Sequence, residues 1–235
     1  SISTLSAQEN TAGMYADTTA ISKASVLVIP FESKMYISDI DRNLAQKHQM
    51  NFQEIKGKFR AALDREIFIA LKKDYNPLSF YTIPPDESRK ELGYIYYSIG
   101  YKYEVVPEDE AVKKKNLGTK LTQKLKKKPK EEEYSRGGMQ GGQIVTQFDN
   151  REKYMKTKLV NDKLIPSLNT KFEAKYYIFI NELDIKKGAD RRYAASEESY
   201  KREIKVHYTI FDSLGVEISS GAIKTRFSSN QDDMD

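Results

Sequence analysis

Two periods of apolar residues divide this chain. Val26-Leu27-Val28-Ile29-Pro30-Phe31 is a continuous apolar run interrupted only by proline, which marks a short strand covered on both faces. After a polar stretch, apolar residues recur at Phe52, Ile55, Phe59, Ala62, Leu63, Ile67, Ala70 and Leu71, one face at a period of 3.6. Asn51 is a good N-cap for this helix, and Glu54 completes a capping box. The helix ends near Lys73, where lysines suit the C-terminus, and Asn76-Pro77 enforces a break. A strand feeding a long helix that packs back on the sheet opens an α/β fold. Between the two, Asp39 is placed to cap a short helix holding Ile40 and Leu44.

Downstream, Leu78–Ile83 reads as a second strand and Pro84-Pro85 as a turn, with about one helical turn over Asp86–Leu92. Tyr94–Val106 is tyrosine-rich and reads as extended, with Gly100 as a bulge. A helix is expected over Asn150–Leu159, with room to run to Leu164 before Pro166 interrupts. Lys175–Ile185 is a strand. In Tyr200–Phe211, Ile204, Val206, Tyr208 and Ile210 face one way and Lys205, His207 and Thr209 the other, towards solvent. Asp212-Ser213-Leu214-Gly215 turns the chain into Val216–Phe227, closing a hairpin.

The expected architecture is α/β (α+β): a mixed sheet with two main helices packed on it and a C-terminal β-hairpin, interrupted by one long flexible insertion. The boundaries are an extended arm over 1–23, the α/β domain in two parts over 24–107 and 144–227, a Lys/Gly-rich insertion over 108–143, and an acidic tail over 228–235. The insertion carries too few large apolar residues to offset the entropy of ordering it.

Composition narrows the chemistry. The chain has no cysteine, which excludes disulfides, thiolate metal sites and cysteine nucleophiles within it, and only two histidines, His48 and His207. The 16 tyrosines, with no tryptophan, suit half-exposed sheet surfaces. The net charge of +5 is local: nine lysines and no acid lie between Lys113 and Lys130, and without them the sign reverses. No run of about 20 apolar residues is present to cross a membrane as a helix. Ser1–Gln8 is rich in small residues, with a possible cleavage point after Ala7, like the tail of a secretory signal.

Candidate sites are few. Asp39 and Asp41, on a loop with Tyr36 and Ser38, are too few carboxylates to specify a hard cation, so the loop reads as a recognition surface at most. His48 and His207 lack any nucleophile signature beside them and read as surface residues. Gly137-Gly138-Met139-Gln140-Gly141-Gly142 lacks the Gly-Lys-Ser/Thr ending of a phosphate loop and reads as a flexible turn. Tyr94, Tyr96, Tyr101 and Tyr103 are candidates for a protein-binding surface, since tyrosine is favoured at interfaces. Lys113, Lys114, Lys115, Lys120, Lys124, Lys126, Lys127, Lys128 and Lys130 are candidates for a polyanion contact, though the tract has no aromatic interleaving for single-stranded nucleic acid.

The order of elements, and the segments Val26–Phe31 and Phe211-Asp212 to Gly221, resemble the α/β domain shared by the amino-terminal domain of TolB, the curli-secretion lipoprotein CsgG and the LpoB activators of penicillin-binding proteins. The resemblance covers residues 24–84 and 150–227. It implies a non-enzymatic accessory or scaffold protein, periplasmic or attached to the outer membrane, which binds other proteins of a Gram-negative cell-envelope complex. It implies no cofactor and no metal. The alternative is a module binding anionic lipid, lipopolysaccharide or nucleic acid through Lys113–Lys130, with nucleic acid the least favoured of the three.

Overall fold

In a computed structural model, residues 23–107, 138–140, 143–145, 151–187 and 201–228 are described. They form a mixed sheet with helices on both faces, as the sequence predicts. Strand β1 (Ser25–Ile29) is central. It pairs in parallel with β3 (Asn76–Ser79) on one side and with β8 (Tyr176–Lys187) on the other. β8 continues antiparallel into β9 (Lys201–Asp212) and β10 (Glu217–Ser228), giving the order β10-β9-β8-β1-β3. The short β2 (Tyr36–Ser38) runs parallel to the far end of β8.

One face is covered by α1 (Asp41–His48) and α2 (Phe52–Lys72). The capping box of α2 is formed as expected: Asn51 Oδ1 accepts from the N–H groups of Gln53 and Glu54 at 2.9 Å each, and Asn51 N–H donates to Glu54 Oε2 at 2.8 Å. Its apolar stripe, Ile55, Phe59, Leu63 and Ile67, packs on Phe31, Ile180, Leu183 and Ile185. At its other end, Lys23 Nζ donates to the carbonyls of Lys72 and Lys73, a cation closing the negative end of the helix. α1 begins one residue later than a cap at Asp39 requires: Ile40 holds the N-cap position without a side-chain bond, and Asp39 instead extends the β2 ladder by donating its N–H to Ile185 O.

The opposite face carries α3 (Pro85–Tyr97), α4 (Leu164–Phe172) and a two-stranded ribbon of β4 (Ile99–Val105) and β7 (Lys153–Leu159). Leu27, Ile29, Tyr177, Phe179 and Phe211 meet Ile95, Leu164, Ile165 and Leu168 there. Burying each of these side chains contributes about 1.5–3 kcal/mol.

Several expectations are corrected on this face and at its approach. Strand β3 stops at Ser79, and Phe80–Thr82 form a tight helical turn rather than more strand. α3 is longer than one turn, because Pro85 at its first position and Asp86 and Glu87 in its first turn start a helix that nothing stops before Ser98. Tyr94 and Tyr96 are therefore helical, and Gly100 pairs regularly with Lys158 with no bulge; a Cβ there would sit 3.3 Å from Val160. Residues 153–159 form strand β7, not a helix, because β4 offers seven residues of regular pairing that a weak helical pattern cannot match. Pro166 sits in the first turn of α4, where its missing N–H has no partner to lose.

The hairpin turn forms as read. Gly215 has φ +79°, and Asp212 Oδ1 accepts from Leu214 N–H and Val216 N–H at 2.9 Å each. At the end of the insertion, Gly138–Gln140 form β5, paired antiparallel with β6 (Gln143–Val145), which corrects the reading of Gly137–Gly142 as a turn throughout. The 1–22 arm, the lysine tract and the tail beyond Ser228 lie outside the described residues.

Candidate functional site

Two polar sites stand out: a buried layer between the main sheet and β7, and an open groove at the carboxyl ends of β1 and β3.

The buried layer arises from β9. Its alternating polar residues Lys205, His207 and Thr209 do not face solvent; His207 is 1% exposed and Thr209 fully buried. This corrects the surface reading of His207. One edge of β7 pairs with β4, and the other edge lies against the side chains of β9 and β8. Met155 N–H donates to His207 Nδ1 at 2.6 Å, and Thr157 N–H donates to Thr209 Oγ1 at 3.0 Å. Lys205 Nζ donates to Lys153 O. From β8, Asn181 Nδ2 donates to Met155 O at 2.8 Å and Thr209 Oγ1 at 2.9 Å, and Asn181 Oδ1 accepts from Thr157 Oγ1 at 2.6 Å. Side chains thus complete the edge of a strand that no backbone pairs. Each buried N–H or C=O left open there would cost about 1–3 kcal/mol.

A bulge in β8 extends this layer. Ile180 pairs with Tyr208 and Glu182 with His207, so Asn181 is the extra residue. Because of it, Glu182 and Asp184 share the face of His207 rather than the face of α2. His207 Nε2 lies 3.3 Å from Glu182 Oε1 and 3.6 Å from Asp184 Oδ2. Tyr103 OH donates to Glu182 Oε2 at 2.5 Å. Burial pushes the Tyr103 phenol up, and its bond to Glu182 adds to the shift. At Asp184 burial acts upwards, but His207, Lys186 and Lys205 outweigh it and hold the carboxyl below its usual range.

Glu182, Asp184 and His207 bring one ligand atom each within 4.8 Å of one another, a spacing that could hold a cation. The hydrogen bonds argue otherwise. Nδ1 accepts from Met155 N–H, so the proton of the neutral ring sits on Nε2 and points at the carboxylates. A metal-binding histidine has the reverse arrangement, with a free lone pair on one nitrogen and the other nitrogen donating. Two carboxylates alone are too few for Ca²⁺ or Mg²⁺. The layer fits a structural role.

The groove lies where chain connections diverge. From β1 the chain crosses through α2 to β3 on one side, and later through α4 to β8 on the other, so helices leave on opposite faces at the ends of these strands. In open α/β sheets such a switch point leaves a crevice suited to ligands. Here it measures about 490 Å³ and is open to solvent. Phe80, Ile83 and Leu92 wall it, and a smaller cavity of about 90 Å³ that shares Arg60, Phe80 and Leu92 is lined by Pro30. Arg60 reaches in from α2. Its Nη2 donates to Tyr96 OH at 2.8 Å, and Tyr96 OH in turn donates to Pro30 O at 2.7 Å. The guanidinium also lies 6.0 Å from the centre of the Phe31 ring. Its Nε is buried without a hydrogen-bond partner. Burial pushes the Tyr96 phenol up to about 12, against the pull of Arg60.

One turn along α2, Asp64 accepts from Ser79 Oγ at 2.5 Å through Oδ2, while its Oδ1 is buried with no partner. Burial raises the Asp64 carboxyl, against the effects of Ser79 and Arg60. Sequence reading missed Arg60 and Asp64. Their only signal is a polar pair at i, i+4 beside the apolar stripe of α2, which is also the pattern of a solvated face.

The residues singled out from the sequence are scattered. Tyr36 OH donates to Asp41 Oδ1 at 2.7 Å, and Ser38 Oγ accepts from Ile40 N–H at 3.3 Å, so that loop is braced on itself; Asp39 is exposed. Tyr94, Tyr96 and Tyr101 are half-buried against the core on α3 and β4, and Tyr103 is 53% exposed with its hydroxyl on Glu182. Only Tyr96 belongs to the groove. His48 is half-buried at the end of α1.

No family model and no curated protein sequence matches the chain. Among solved structures it is similar to the crystal structure of lipoprotein GNA1162 from Neisseria meningitidis. That likeness has 14% identity and a TM-score of 0.35 and covers 88% of this chain and 85% of that one, too loose to argue from. No helix among the described residues is long and apolar enough to cross a membrane.

Proposed function

We propose that this chain is a non-enzymatic accessory protein of the Gram-negative cell envelope, periplasmic or held at the outer membrane, that works by binding other proteins. The envelope setting is supported by the sequence resemblance carried by Val26–Phe31 and by the Asp212–Gly221 hairpin. Binding rather than catalysis is supported by one observation above all. The buried layer holds acids, a histidine and hydroxyls together, but those groups are turned on one another and on the edge of β7. The solvent-open crevice, by contrast, presents apolar walls and two arginines, Arg60 and Arg89, which is the equipment of a binding site.

The test is a tagged pull-down from native envelope at low and high salt, with crosslinks mapped by mass spectrometry. The expected result is a stoichiometric protein partner that survives high salt. Complete loss in high salt, with crosslinks confined to Lys113–Lys130, would replace this reading with charge-driven surface binding.

A further inference from the structure

We propose that His207 is an acid-sensitive latch: on taking up a second proton it lets go of the β7 backbone at Met155 and frees the Lys153–Met155 end of the β4–β7 ribbon from the main sheet. This goes beyond the reading of the chain as a protein-binding module and does not depend on it.

One ring is under two demands that it cannot meet together. Nδ1 accepts from Met155 N–H at 2.6 Å, and only an unprotonated nitrogen can accept. Nε2 lies 3.3 Å from Glu182 Oε1 and 3.6 Å from Asp184 Oδ2, is buried, and has no hydrogen bond to either. Two carboxylates that close favour the imidazolium, because their attraction for its charge is strong where water is excluded. The backbone of β7 therefore selects the neutral ring, and the carboxylates of β8 select the charged one. In the cation both nitrogens carry hydrogens. Nδ1–H then faces Met155 N–H, donor against donor, and that contact has to open.

The charges around the ring come from three strands. β8 supplies Glu182 and Asp184, with Lys186 Nζ 3.7 Å from Asp184 Oδ2. β4 supplies Tyr103, whose ring meets the imidazole edge-on at 6.5 Å and whose hydroxyl donates to Glu182. On β9 itself Lys205 turns its Nζ to Lys153 O, and β10 sets uncharged Ala222 opposite His207. Lys186 and Lys205 oppose a further cation, but the two carboxylates are the charges in contact with the ring. Of these side chains, imidazole alone belongs to a class that ordinarily changes charge between about pH 5 and 8.

Neighbouring bonds set the extent of the release. Thr157 N–H on Thr209 Oγ1, and Asn181 on Met155 O and on Thr157 Oγ1, involve no titrating group, so β7 stays docked beyond Met155. The end set free is the one at Lys153, where the long 106–152 connection from β4 enters β7.

The test uses the full chain labelled with ¹⁵N, at pH 7.5 and at pH 5.5. Long-range ¹H–¹⁵N spectra read the protonation of the His207 ring. Hydrogen exchange reads each amide as a protection factor, which removes the intrinsic pH dependence of exchange. At pH 7.5 the ring is expected to be neutral with its proton on Nε2. At pH 5.5 it should be doubly protonated, with the Met155 protection factor at least tenfold lower and that of Thr157 within twofold. His207→Gln keeps a neutral acceptor at both pH values and should hold Met155 protection constant, whereas His48→Gln should leave the tenfold change in place. Three results would overturn the latch without any variant having to fold: a ring still neutral at pH 5.5, a ring already doubly protonated at pH 7.5, or a ring that gains its proton while Met155 protection stays within twofold. An equal loss of protection at Met155 and along β9–β10 would also overturn it, since acid would then be unfolding the sheet as a whole.

Discussion

The layer under β7 and the groove beside α2 contain the same kinds of side chain and use them in opposite ways. In the layer, Asn181 bonds three groups, and Thr209 and His207 each accept a backbone N–H, so polarity is spent on joining two sheets. Arg60, which lines the groove, and Asp64, buried one turn away from it on α2, are each anchored through one atom while a second atom has no partner. Composition therefore does not distinguish the two, and neither does the number of atoms left over: His207 Nε2 and Asp184 Oδ1 have no hydrogen bond in the layer, just as Arg60 Nε and Asp64 Oδ1 have none beside the groove. What separates them is the neighbour: the layer is bonded to a buried strand edge, whereas Arg60 borders a crevice open to solvent.

The sharpest way to break the comparison is to unbalance the layer. Asn181→Ala strands Met155 O, Thr157 Oγ1 and an approach to Thr209, and is expected to cost about 3 kcal/mol or more in urea unfolding. His207→Phe removes the acceptor for Met155 N–H and sets an apolar ring against Glu182 and Asp184; about 2 kcal/mol is expected, with His207→Gln recovering part of it. The groove should respond differently. Arg60→Gln deletes no ion pair but removes the hydrogen bond to Tyr96 and one ring contact, so its thermal unfolding should shift by about 1–2 kcal/mol, less than for Asn181→Ala. A loss as large as that of Asn181→Ala would make Arg60 structural and erase the contrast.

The smallest effects are in pH dependence, and their signs are opposite. Asp184 is held below its usual value, so its contribution is complete above about pH 4 and fades as the pH falls through the lowered folded value. Asp184→Asn should flatten that acid-side loss. Asp64 is raised, so its contribution is complete below about pH 4 and is lost as the pH climbs through the folded value. Asp64→Asn should remove the decline on that side. Melting curves between pH 3 and 7 that moved in the same direction for both variants would contradict the two environments described.

Much of the frame was legible before the structure. The capping box of α2, the apolar run of β1 and the Asp212–Gly215 turn are local signals, and local physics decides them. Most of the misreadings share a cause, dependence on what lies across from the residue; the length of α3 is the exception, since Pro85, Asp86 and Glu87 signal it locally. Lys205, His207 and Thr209 alternate as a solvated face would, and what covers them is the backbone edge of β7, which wants polar partners. Tyr154 and Met155 admit either period until β4 supplies a pairing partner. The groove was illegible because its floor joins Arg60 to Tyr96, 36 residues away, and to Pro30, on a strand end.

The bulge at Asn181 gives β8 a property of its own. Before it, Tyr177 and Phe179 point at α4; after it, Glu182 and Asp184 do the same duty on that side, and odd positions have exchanged roles with even ones. The strand behaves like a text with a frameshift in the middle. Deleting Asn181 itself would restore an unbroken ladder and leave Glu182 and Asp184 on the side of His207, at the cost of the bonds Asn181 makes, whereas inserting one more residue there would turn those carboxylates towards the apolar stripe of α2 and Leu183 and Ile185 towards the polar edge of β7.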